Sequence, residues 1–226
     1  MLVLALDTAL GACSVAVLDA DRDVILASAS EAMERGHAER LIPLIAETCA
    51  AAGIAPRDCR RFVATTGPGS FTGLRVALSA ARAMALAAGG EAVGLSTLAV
   101  LAEPHLTARE QLAVLAAIDA RHSHVYAALL GADRSILQAP AYLPREQAAV
   151  LAAAAGPVAL VGPGTEAVME AWPADAAPPA LCDSRAAPDI TVLARLGAAV
   201  DPALAPCRPL YLKAVDAKTS AEARRP

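Results

Sequence analysis

Aromatic side chains are scarce in this 226-residue sequence: one tryptophan, three tyrosines and two phenylalanines, 3% in all. A core cannot then be built around large rings. Packing must rest on aliphatic side chains and on close backbone approach, for which the recurrent alanines are suited. Paired cysteines are missing too. Cys13, Cys49, Cys59, Cys182 and Cys207 form an odd set without C-x-x-C spacing, which argues against a disulfide framework and a structural zinc site. They read as small buried hydrophobes in a reducing compartment. No run of Lys/Arg longer than the pairs Arg60–Arg61 and Arg224–Arg225 occurs, and the net charge is −4, so a phosphate-tracking groove is not evident. The opening apolar run "MLVLAL" has no basic flank and stops at Asp7, which fits neither a signal peptide nor a membrane span. A cytoplasmic protein is expected. What is present, 56% hydrophobic and 19% charged residues, suffices for an ordered core in one large or two small domains.

Along the chain, "LVLALD", "CSVAVLD" and "VILASAS" are short aliphatic runs separated by Asp and Gly turns and read as a three-stranded meander. "GHAERLIPLIAETCAAAG" places Leu41, Leu44, Ile45, Thr48 and Ala52 on one helical stripe, with Pro43 early in the helix and Gly53 stopping it. "RRFVATTG" is the next strand, and "AVGLSTLAVLAEPHL" a short strand and a helix ending near Pro104. From residue 112, "QLAVLAAIDARHSHVYAALLGADRSIL" repeats the plan of the first 26 residues: an aliphatic strand ending in Asp, a turn, and two further apolar runs. Asp7 and Asp119 lie 112 positions apart, half the chain. An internal repeat at half length predicts two similar lobes arisen by duplication, here 1–105 and 106–213, followed by a polar tail over 214–226 that frays.

The stretch "TTGPGSFTGLRVALSAARAMALA" (65–87) joins a glycine turn to a helix. Such a junction binds anions when free N–H groups converge on it. Yet it fits neither G-x-x-x-x-G-K-[ST] nor G-x-G-x-x-G, and no lysine follows. Its helix is apolar almost all round: Leu74, Leu78, Ala81 and Ala85 form one stripe, and Val76, Ala80, Met84 and Ala87 another. A helix of that kind either is central in its own domain or meets another chain.

An Asp ending a strand, as Asp7 does, holds Mg²⁺ or orients water in two-lobed sugar-kinase and actin-like proteins, whose two hairpin loops bind phosphate. Here Ala9 stands where those loops place glycine, and Ala120, Arg121 and His122 crowd the second turn. The architecture fits while the nucleotide chemistry looks eroded. His37, His105, His122 and His124 show no helical metal spacing, and no G-x-S-x-G elbow surrounds a serine.

"LALDTALGACSVAVLD", "GHAERLIPLI", the 65–87 block, "GLSTLAVLA", "VLAAIDARHSHVYAALL" and "PLYLK" together resemble the TsaB (YeaZ) family, nearly to Lys213. The resemblance implies an α/β, two-lobed actin-like/Hsp70-like (ribonuclease H-like) fold with duplicated βββαβα lobes. It also implies a non-catalytic subunit of the bacterial machinery that forms N6-threonylcarbamoyladenosine at position 37 of tRNAs reading codons beginning with A. The transferase of that machinery, TsaD, carries an H-x-x-x-H metal motif. The matching positions here are Thr97 and Leu101, so no metal and no transferase centre is implied.

The implied partners are TsaD and the ATPase TsaE, a second copy of the chain when alone, and tRNA through the complex, with ATP and Mg²⁺ used by the complex and no cofactor by this subunit. The implied interface is His37, Leu41, Leu44, Ile45, Gly67, Pro68, Gly69, Ser70, Phe71, Thr72, Gly73, Leu74, Arg75, Leu78, Ala81 and Arg82. The alternative is an ATP-dependent enzyme of the same fold, with Asp7, Thr8 and Asp119 at an interlobe Mg-nucleotide site, a set that is otherwise a candidate vestige.

Overall fold

In the computed structural model, which describes residues 1–106 and 111–212, the aliphatic runs form strands where alternate residues find two different apolar layers. The first half comprises β1 (Leu2–Asp7), β2 (Ala12–Asp19) and β3 (Val24–Ala32), then α1 (His37–Ala51), β4 (Arg61–Gly67), α2 (Phe71–Ala88), β5 (Glu91–Ser96) and α3 (Thr97–Ala102). The second comprises β6 (Ala113–Asp119), β7 (His124–Leu130), β8 (Ile136–Pro144), α4 (Arg145–Ala154), β9 (Val158–Val161), α5 (Thr165–Glu170), β10 (Leu181–Asp183) and α6 (Ile190–Ala199).

The two sheets have one topology. Their orders are β3-β2-β1-β4-β5 and β8-β7-β6-β9-β10. In each, the first three strands pair antiparallel and the last two join in parallel. Asp7 and Asp119 each end the strand at the centre of their sheet. The duplicated two-lobed α/β fold is therefore present, each half running βββαβαβα, one strand–helix pair longer than the βββαβα unit expected. A second correspondence escaped the sequence reading: Gly67-Pro68-Gly69 follows β4, and Gly162-Pro163-Gly164 follows β9, at the same topological place.

The outer face of the first sheet, with Leu4, Leu6, Val15 and Val17, packs under α1 and α2. The outer face of the second, with Leu115, Ala117 and Val125, packs under α4 and α5. The inner faces exchange helices. Ile190, Leu193 and Ala194 of α6, from the second half, cover Val3, Ala5, Ala16 and Val63 of the first sheet. Leu98, Leu101 and Ala102 of α3, from the first half, cover Val114, Ala116 and Ile118 of the second. Each sheet's inner face is thus covered by the other half's last helix.

Arg61 of β4 fixes this exchange. Its guanidinium donates to the carbonyls of Gly197, Ala198 and Val200 at 2.8 to 3.1 Å, and to Glu91 at 2.9 Å, satisfying carbonyls that a helix end leaves open. Gly53, at φ +70°, follows α1 as expected, whereas Pro43 lies inside that helix, not at its start. The tail 214–226 lies outside the described residues. Helix α2 is long and apolar enough by composition to cross a membrane; its inner face, Leu74, Ala77, Leu78, Ala81 and Ala85, is buried in the first lobe.

Candidate functional site

The glycine turn before α2 sits directly on the β1–β2 hairpin turn. Ser70 N–H donates to the Ala9 carbonyl at 2.8 Å, and the Thr8 hydroxyl donates to the Gly73 carbonyl at 2.6 Å. A Cβ on Gly69 would lie 2.5 Å from the Ala9 oxygen, and one on Gly73 2.0 Å from the Thr8 oxygen. The glycines are thus needed for backbone-to-backbone contact. Gly73 N–H bonds the Ser70 hydroxyl, and Leu74 N–H the Ser70 carbonyl.

Asp7 is sealed beneath this contact. Fully buried, its Oδ1 accepts from the Thr65 hydroxyl and from Ala9 N–H, while Oδ2 has no hydrogen-bond partner among the described residues. Burial pushes its carboxyl up to about 6, against the lowering effect of those bonds and of His37. Asp119 differs. It is exposed, accepts from Arg121 N–H at 2.8 Å, and lines a cavity of about 350 Å³ with His122, His124, Arg145 and Glu166, all from the second lobe. Asp7 and Thr8 are thus enclosed in bonds of the first half, while Asp119 lines a cavity whose lining residues come from the second.

Thr97 and Leu101, at the positions matched to the metal motif, are each 0% exposed. Leu101 packs against the second sheet. Among the described residues no three His, Cys, Asp or Glu side chains are grouped to hold a metal.

The residues expected at a partner surface divide by burial. Leu41, Leu44, Ile45, Leu74, Leu78 and Ala81 are at most 3% exposed and lie in the core over the first sheet. That corrects their assignment as partner contacts: the strongest stripe on each helix faces its own sheet, because that burial excludes most water. Gly67, Pro68 and Gly73 are buried too, and His37 and Gly69 half-buried. His37 Nε2 contacts the Leu10 carbonyl at 3.2 Å.

The exposed members are Ser70, Phe71, Thr72, Arg75 and Arg82. Three further residues near these helices are apolar or aromatic and open to solvent: Ile42 at 55%, Leu86 at 86% and Tyr211 at 49% exposed. Ile42 and Leu86 were legible as apolar residues off the core stripe of an otherwise apolar helix. Tyr211 reaches α2 only through the fold. On α1, Arg40 bonds both Glu31 and Glu47 through two oxygens each, which lowers both carboxyls.

Fold and site together define a duplicated two-lobed α/β protein whose glycine turn is packed on the first hairpin turn and whose α2 presents an uncovered outer face. Residues 26–162 match the family described as TsaD, tRNA N6-adenosine threonylcarbamoyltransferase. The tRNA threonylcarbamoyladenosine biosynthesis protein TsaB of Escherichia coli is 37% identical over 126 residues, 56% of this chain and 53% of that protein. TsaB of Haemophilus influenzae is 36% identical over 124 residues, covering 55% and 51%. The chain spans about half the length of these curated relatives. The solved structure of YeaZ from Pseudomonas aeruginosa superposes with a TM-score of 0.77 at 31% identity, covering 93% of this chain and 99% of that one. A second P. aeruginosa structure, described as an uncharacterized protein with similarity to peptidase YeaZ, gives 0.77 at 32%. The chain belongs to the TsaD-related family and, within it, to the TsaB/YeaZ group.

Proposed function

We propose that this chain is a partner-binding, non-catalytic subunit of the machinery that forms N6-threonylcarbamoyladenosine at position 37 of tRNA. It pairs with a TsaD-type transferase subunit through the outward faces of α1 and α2. An ATPase of the TsaE type joins the pair, tRNA is met through the complex in the cytoplasm, and the same helices hold a second copy of the chain when the transferase is absent. ATP and Mg²⁺ belong to the complex.

The observation that carries this reading is the packing of the glycine turn onto Thr8 and Ala9, which engages its glycines in backbone contacts within the chain. Thr97 and Leu101 in place of two imidazoles support it, since neither side chain supplies a metal ligand of that kind. Uncovered apolar residues on α1 and α2 support the partner surface. In place of a cradle, the turn is a mount that sets the pitch of α2 against the sheet.

Reconstitution tests it. The chain, the transferase-type subunit and the TsaE-type ATPase of one organism are combined in a tRNA threonylcarbamoylation assay with ATP, omitting one protein at a time. Modification should be lost when this chain is omitted, and the chain alone should form none. Full modification without it would overturn the proposal.

A further inference from the structure

Beyond α6 the chain returns across the first lobe as a strap. Ala205 accepts from Gly94 N–H at 3.0 Å, Pro206 bridges to Val93, and Leu210 N–H donates to the Thr66 carbonyl at 2.8 Å. One side of the strap is closed, with Ala205 and Cys207 at 6% and 7% exposed. Its far end is open and lies at the start of α2. There the Tyr211 ring is 5.9 Å from the Phe71 ring, and the Tyr211 hydroxyl accepts from Arg75 at 3.3 and 3.4 Å. The Arg75 guanidinium lies 3.7 Å from the centre of the Phe71 ring.

We infer that Phe71, Arg75 and Tyr211 form one composite epitope, built jointly by α2 and the strap, that receives a carboxylate of the protein partner. The inference rests on the proposed pairing with a transferase-type subunit, and adds to it the strap and the chemistry of the contact. Charge complementarity selects the carboxylate. Arg40, Arg61, Arg134, Arg145, Arg185 and Arg195 each hold an Asp or Glu; Arg75, like Arg22, Arg35, Arg57, Arg60, Arg82, Arg121 and Arg208, has no ion pair among the described residues, but it is the one held over an aromatic ring and bonded to a phenol. A guanidinium stacked on one ring and bonded to a phenol is already oriented, so it loses little freedom when a planar carboxylate docks. Tyr and Arg are also the side chains that most often dominate interface energy. A nucleic-acid strand is the poorer occupant, since a chain of net charge −4 offers two arginines here rather than a cationic track.

The test uses the full chain and the transferase-type subunit of the same organism, with affinity measured at low and high salt and folding checked by thermal melting. Arg75→Glu should weaken pairing at least 30-fold, and Tyr211→Phe about 5-fold, as expected for a central charged contact and one lost hydrogen bond. Tyr211→Phe keeps the ring and so keeps the strap's packing. Arg75→Ala should flatten the salt dependence seen with the wild-type chain. Wild-type pairing that survives Arg75→Glu and Tyr211→Phe unchanged would overturn the composite epitope alone. Absence of wild-type pairing would overturn the epitope and the proposed partnership together.

Discussion

Gly73 stands so close to Thr8 that a Cβ on it would lie 2.0 Å from the Thr8 carbonyl oxygen. The contact is backbone against backbone, so no flexible side chain yields. Gly73→Ala should therefore cost about 2 kcal/mol or more in unfolding free energy, measured by urea denaturation. Ser70→Ala, which loses only the cap on Gly73 N–H, should cost about 1 kcal/mol. Equal and small losses for both would contradict the packed turn.

Burial of Asp7 carries a pH signature. Its folded value of about 6 lies above the ordinary 3.8, so the folded chain binds the proton more tightly than the unfolded one. The stabilising contribution is complete below pH 4 and is lost as pH rises through 6. The difference in stability between the wild-type chain and Asp7→Asn should consequently shift against the wild type by about 2 kcal/mol from pH 4 to pH 7.5. Taking the difference cancels the other titrating groups. A flat difference across that range would show that the carboxyl is not sealed.

Arg61 ties the second half's last helix to the first sheet through three carbonyls. Arg61→Met leaves those carbonyls without their donor and should destabilise the chain by about 2 to 4 kcal/mol. Hydrogen exchange should rise first over residues 190–200. Uniform exchange along the chain would show that this helix opens only with the whole molecule and is not held by Arg61 in particular.

Helix α2 has two faces that a single substitution distinguishes. Leu78 is 3% exposed, and Leu78→Arg buries an unpaired charge, which should cost about 4 kcal/mol or more. Ser79 is exposed, and Ser79→Arg should leave stability within about 0.5 kcal/mol. Matching melts for the two variants would mean that the helix is rotated from the orientation described.

Much of this was legible in the sequence. The Asp-ended aliphatic runs gave both meanders and their duplication, because a period of two with turn residues between is a strong local signal. The burial phase of α2 was not legible. With apolar residues nearly all round, periodicity has no contrast, and Leu74, Leu78 and Ala81 were placed outward although they carry the inner stripe. The exchange of α3 and α6 between sheets was equally hidden, since helices of similar apolarity fit either inner face. Tyr211 joins Phe71 and Arg75 across 136 residues or more, a distance no local pattern spans. The glycine block was recognised as unlike a phosphate loop from its missing lysine. Only the contact with Thr8 and Ala9 shows what the glycines do.

Pairing with the transferase-type subunit, measured by titration calorimetry for the wild-type chain and for Ser79→Arg, bears most directly on the role of α2's outer face. The wild-type chain should bind, and Ser79→Arg should bind at least 30-fold more weakly with its melting temperature unchanged. Undiminished binding by Ser79→Arg would contradict an interface on that face, and no binding by the wild-type chain would contradict the partnership itself.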